Sequence, residues 1–187
     1  MNTVCRLVVM LAPHSSLNRL PDAGVGEWYT PVISNTGLHP RPTNATALKA
    51  IVPTVDDSWS STWYVSRNGE TVDELYARTR GFLGAFVPRL ESTTEGHERI
   101  LLVGHAASAI ALVHSLVGDN MPLRVGCATV SVLDRTKDDD VLAAWTPVGD
   151  LAMGDFLSGG VQRDWGMEDV QLQGGEVRVS ILHPINH

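Results

Sequence analysis

The pattern of this chain predicts an α/β sandwich. Residues 71–90 carry apolar side chains at helical spacing. A short apolar run, Ile100 to Val103, passes through Gly104-His105 directly into an alanine-rich helical pattern that ends near Gly118. Two further apolar stretches, 125–133 and 141–147, then read as strands. Helices interleaved with short apolar strands bury their faces against one another in layers.

The 187 residues suffice for one ordinary domain with a real core, and we read residues 1–187 as a single domain. A hydrophobic fraction of 43% and a charged fraction of 19% are those of a globular protein. The net charge of -7, with no basic run, does not favour direct nucleic-acid binding, which needs clustered Lys and Arg. Cys5 and Cys127 stand far apart, suggesting a reducing intracellular compartment and neither a disulfide framework nor a zinc site. No apolar run approaches the roughly 18 residues of a membrane span.

Element by element, Arg6 followed by Leu7 to Ala12 loosely resembles a signal peptide, but the apolar stretch is too short and Pro13-His14 follows it. An amphipathic or buried helix is expected over 2–12. Six prolines between Pro13 and Pro53 make residues 13–69 long loops with short ordered pieces. Trp28, Trp59 and Trp63 are expected to anchor those loops on the core. Thr71 and Glu74 form a capping box, and Val72, Leu75, Tyr76, Thr79, Phe82, Leu83, Phe86 and Leu90 mark one helical face. Pro88 is a candidate kink or stop. Ser92 to Glu98 reads as a polar loop, and Ile100 to Val103 as a buried strand. Ala107 to Val117 reads as a helix with Gly118 at its C′ position. Residues 125–133 and 141–147 flank a charged, solvated turn at Arg135 to Asp140. Asp155 to Gly160 is turn-rich, and Glu176 to Leu182 alternates as a strand does.

His105 carries the chemistry. A strand that delivers imidazole to the first turn of a helix places it beside unpaired N–H groups and a partial positive charge, a setting for an anion. A hydrolase nucleophile elbow, G-x-S-x-G, is excluded there, because alanine stands where the serine must be and Ser108 lies inside the helix.

Several segments together resemble the histidine phosphatase superfamily, also called phosphoglycerate mutase-like. They are Ile100-Leu101-Leu102-Val103 with Gly104-His105, Asn68-Gly69-Glu70-Thr71, Cys127 to Leu133, and Gly26-Glu27-Trp28. Gly24 to Tyr29, His105-Ala106-Ala107-Ser108 and Asp155 to Gly160 are similar to one branch: the small histidine-phosphatase subunits of the fungal transcription factor tau (TFIIIC), which serves RNA polymerase III. The resemblance covers about residues 24–165. It implies a three-layer sandwich with a mainly parallel sheet, phosphomonoester hydrolysis through phosphohistidine, and no metal or cofactor. It implies the second, supporting histidine for His105 and the carboxylic acid for Glu27. It implies phosphate or a phosphomonoester as ligand, and, through the tau branch, other tau subunits as partners and a nuclear location; without that branch the expected location is cytoplasmic.

The family's nucleophile lies in an Arg-His-Gly motif, which this chain does not contain. His14, between Pro13 and Ser15, does not replace it, and neither Arg6 nor Arg19 fits the family's second phosphate-binding arginine. The expectation is therefore an N-terminally truncated domain whose first strand precedes Met1, leaving the Ile100–Val103 strand with an open edge and the polypeptide marginally stable. Three functional readings follow: a family protein with half a catalytic set, possibly a tau subunit; an active phosphomonoesterase with a longer product; and a non-catalytic anion-binding or scaffold module. Elsewhere, Glu70 reads as a structural group favouring a helix start. His114 reads as a core or surface histidine, and Arg78 and Arg80 as part of a solvated helix face. His183 and His187 carry no assignment.

Overall fold

The structure, a computed structural model, describes residues 6–8, 19–93, 99–137, 140–173 and 176–179. Its elements in chain order are β1 (Arg6–Val8), α1 (Ala45–Lys49), α2 (Val72–Thr93), β2 (Arg99–Leu101), α3 (Ala106–Val117) and β3 (Arg124–Val125). There follow β4 (Val132–Arg135), β5 (Trp145–Pro147), β6 (Trp165–Gly166), β7 (Val170–Gln173) and β8 (Glu176–Val179).

α3 is the centre. Every residue from Ala107 to Leu116 is buried. A helix apolar on all sides must be covered on all sides, and here α2, β3, β5 and β6 pack around it. Leu75, Phe82, Ile110 and Leu116 have no exposed surface, and each contributes about 1.5–3 kcal/mol by burial. The end of α3 is closed as its sequence predicts. Gly118 takes φ 79°, and its N–H reaches the His114 carbonyl at 2.8 Å. The Ser115 and Leu116 carbonyls accept from Ala143 and Ala144 N–H groups at 3.1 and 3.0 Å, so these end carbonyls are not orphaned.

α2 opens on the expected capping box: Thr71 N–H donates to Glu74 at 2.8 Å and Glu74 N–H to Thr71 at 3.2 Å. The helix runs through Pro88 to Thr93, overlapping the start of the expected Ser92–Glu98 loop. The remainder of that loop, 94–98, lies outside the described residues.

The main sheet has the order β2-β1-β4-β5. β1 is parallel to β2 and antiparallel to β4, and β4 is antiparallel to β5. Its pairings are thus mixed, one parallel and two antiparallel. The helix expected over 2–12 is corrected at residues 6–8, which form a strand. A short apolar run does not distinguish the two by periodicity, and between β2 and β4 this backbone can hydrogen-bond on both sides. The same strand occupies the position beside β2 that the sequence left open. The rest of that expected helix and His14 lie outside the described residues.

The strands expected over 125–133 and 141–147 pair over narrower spans, β4 (132–135) with β5 (145–147). Residues 126–131 and 141–144 are corrected to irregular backbone, apart from the Val130–Met153 bridge, and residues 138 and 139 lie outside the described residues. The solvated turn needs correction at Arg135. Its side chain is buried, ion-paired with Glu91 and placed over the Trp145 ring. Residues 19–69 are largely irregular, as their prolines dictate. Trp28 is buried, and Trp59 packs on Phe86 beneath the Arg89 guanidinium. Trp63, although 39% exposed, lies against Gly81 of α2. Residues 176–179 pair as a strand with β7, and 180–182 lie outside the described residues. Among the described residues no helix is long and apolar enough to cross a membrane.

His114 is a core histidine. Its Nε2 lies 2.8 Å from the Met121 carbonyl, so Nε2 carries the proton, and Nδ1 accepts from the Tyr76 hydroxyl at 2.7 Å. The two rings stack with their planes 4° apart. Burial pushes the imidazole below its ordinary value near 6.5, while Met121 and Asp119 oppose that shift. A histidine whose folded value is depressed loses stability as pH falls below its unfolded value. Urea midpoints should therefore decline below about pH 6.5. The part of that slope due to this residue should vanish in His114→Gln, and an unchanged slope would count against it.

Candidate functional site

The N-terminus of α3 is unusual in its cap. His105 occupies the N-cap with φ -100° and ψ 161°, and its side chain makes no capping bond. Serine, threonine, aspartate or asparagine would normally satisfy an N–H of the first turn from this position. Among the described residues the N–H groups of Ala106, Ala107 and Ser108 have no hydrogen-bond partner. They add partial positive charge at the helix start.

The imidazole is turned to a different task. His105 Nδ1 lies 2.8 Å from Glu27 Oε2, with the two side chains 56% and 35% exposed. The other carboxylate oxygen, Oε1, accepts from the Trp28 backbone N–H at 2.9 Å. A carboxylate oxygen 2.8 Å away favours the proton on Nδ1. Nε2 has no protein partner among the described residues. It offers a lone pair when the ring is neutral and a donor when the ring is charged.

Glu27 comes from an irregular segment, so its position depends on what holds residues 22–31. Asp22 accepts from the N–H groups of Gly24 and Thr62 at 2.9 and 2.7 Å and from the Trp59 indole at 3.2 Å. Gly24 packs so closely on Phe82 that a Cβ would stand 2.2 Å from its ring. Glu70 N–H donates to the Tyr29 carbonyl, and Trp28 Nε1 to the Glu70 carbonyl, both at 2.8 Å. Gly69 has φ 80°, and a Cβ there would meet the Thr30 carbonyl oxygen at 2.0 Å.

His105 and Glu27 open on one cleft of about 1300 Å³, whose walls include Gly104, Thr129, Arg41 and Arg163. The two residues singled out in the sequence are thus brought into direct contact. His114 does not line the cleft. Arg19 is joined through its backbone to Thr54 and Asp56, and Arg6 has no described side chain. The reading of Arg78 as solvated is corrected. It is buried and paired with Glu70 at 2.9 Å, because its spacing from Leu75 and Phe82 puts it on the inner face. Arg80 is exposed. Ser108 was also missed as a site neighbour. Its position three residues beyond His105 on a helix was the available signal. Among the described residues no group of three His, Cys, Asp or Glu side chains could hold a metal ion.

No family model matches the chain. It is similar to the transcription factor tau 55 kDa subunit of Saccharomyces cerevisiae, with 29% identity over 204 aligned residues. That alignment covers 93% of this chain and 46% of the yeast protein, so the chain spans about half the length of the curated relative it matches.

The close approach at Gly69 gives a direct check on how the Glu27 segment is docked. Gly69→Ala combines a left-handed backbone with a backbone clash and should cost about 2 kcal/mol or more. A thermal melt within a degree of the parent would contradict this packing.

Proposed function

We propose that this chain is a histidine-phosphatase-like domain, a three-layer α/β fold, that serves as an anion-binding module without chemistry of its own. We further propose that it assembles with the other subunits of the fungal transcription factor tau, in the nucleus, and so acts with RNA polymerase III. The contact between His105 Nδ1 and Glu27 Oε2, at the uncapped start of α3, carries the binding part of this reading. The likeness to the yeast tau subunit supports the assembly part.

The ligand class follows from the donors. An imidazole and the unpartnered Ala106 N–H, both lining the cleft at a positive helix end, favour a compact oxyanion such as phosphate or a phosphomonoester. Two observations favour binding over hydrolysis. The chain has no Arg-His-Gly to supply the family's nucleophile. Glu27 Oε1 accepts from the Trp28 N–H and Oε2 lies 2.8 Å from His105 Nδ1, which suits a carboxylate that orients imidazole better than an acid free to protonate a leaving oxygen.

Calorimetric titration with orthophosphate should show binding that weakens roughly tenfold in His105→Ala, the loss of one charge-assisted hydrogen bond. No turnover of p-nitrophenyl phosphate is expected. Turnover that disappears in His105→Ala would replace this reading with an active phosphomonoesterase. For assembly, a tagged copy expressed in its own cells should co-purify with identified tau subunits, and their absence from the eluate would remove that part of the proposal.

A further inference from the structure

We infer that Ser108 and Arg78 are positioning residues for the Glu27–His105 pair, acting through the two backbone carbonyls that precede Glu27. This rests on the proposed anion site and adds what holds it in register.

Ser108 lies in the first turn of α3, wholly buried. Its hydroxyl donates to the Gly26 carbonyl at 2.6 Å. A hydroxyl has one proton, so towards Arg78 it is an acceptor: Arg78 Nη2 lies 3.4 Å from the same oxygen. Two further donors of the Arg78 guanidinium go to two other groups. Nη1 donates to the Gly24 carbonyl at 2.7 Å and Nε to Glu70 Oε2 at 2.9 Å. Arg78 and Glu70 have side-chain exposures of 2% and 6%.

The arrangement points to precision of placement more than to stability. A buried ion pair recovers its desolvation cost only when its remaining donors and acceptors are satisfied, and a lysine could neutralise Glu70 without this fork. Only the planar fork reaches Glu70, Gly24 and Ser108 together. Its effect is to fix the carbonyls of Gly24 and Gly26 against α2 and α3. Glu27 follows Gly26 directly, and His105 caps the helix on which Ser108 stands. One rigid unit therefore holds both members of the pair, and the hydrogen bonds of Ser108 and Arg78 go to Gly26, Gly24, Glu70 and one another, not to the imidazole or to the Glu27 carboxylate.

The test reads the tautomer of His105 by long-range proton–nitrogen NMR at a pH where the ring is neutral. Glu27 should hold the ring in the Nδ1–H form, and Glu27→Gln should reduce that form. In Ser108→Ala the Nδ1–H fraction should also fall, and orthophosphate binding should weaken roughly fivefold, as for one lost buried hydrogen bond. A merely structural serine would lower the melting temperature and leave the tautomer unchanged, and that result overturns the inference. Arg78→Lys, which keeps the charge and loses the fork, is read in the same way and decides the matter if Ser108→Ala does not fold. If Glu27→Gln itself leaves the tautomer unchanged, the fault lies with the Glu27–His105 site and not with its supports.

Discussion

The constraint on which the structure depends is the complete burial of α3. A helix rich in Ala, Ile, Leu and Val has no face to give to water, so the chain must wrap it. α2 covers it along its length, with Tyr76 and Thr79 meeting His114 and Ser115. β3, β5 and β6 close on other sides. Only its end residues, Ala106 and Val117, are half-buried, and the exposed His105 stands just before the first of them. The position of the site is thus a consequence of core packing: where the wrapped helix begins, the imidazole emerges.

Polar groups in this core are few, and each has a defined partner. Ser115 returns its hydroxyl to the Ala111 carbonyl, and His114 bridges Tyr76 and Met121. Arg78 and Glu70 satisfy each other and the backbone around them. At the rim, Arg124 gathers Asp164, Glu168 and Asp169, which raises its already high proton affinity and ties β3 to the start of the next ribbon. Exposed pairs of this kind contribute little stability each, so the stability of the fold rests mainly on the apolar contacts of α2 and α3.

Much of this was legible in residue pattern. Thr71 with Glu74, and Gly118 after an apolar helix, specify element ends through local hydrogen bonding, and local chemistry is what a sequence displays. His105 and Glu27 were legible as candidates for the same reason: one at a strand-to-helix junction, the other in a motif of known type. Arg78 was misread because its neighbours Asp73, Glu74 and Arg80 suggested a solvated stripe. The inner spacing from Leu75 to Phe82 outweighs that charge pattern. Residues 6–8 were misread because three to six apolar residues suit a helix or a strand equally, and only pairing between β2 and β4 decides. The contact between Glu27 and His105 was not readable from either residue, since it depends on Gly24, Gly69 and Phe82 fitting together in space.

The bonds that hold the Glu27 segment also bear on the order in which the protein can be made. They join residues 82, 54 and 42 positions apart, from Ser108 to Gly26, Arg78 to Gly24 and Trp28 to Glu70. Contacts so distant along the chain require loop closure before they return any energy. No fragment ending before α3 can contain the pair, and no isolated helix can display it. During synthesis the imidazole leaves the ribosome long after the carboxylate that will meet it. The site is therefore absent from every stage of the nascent chain that ends before α3.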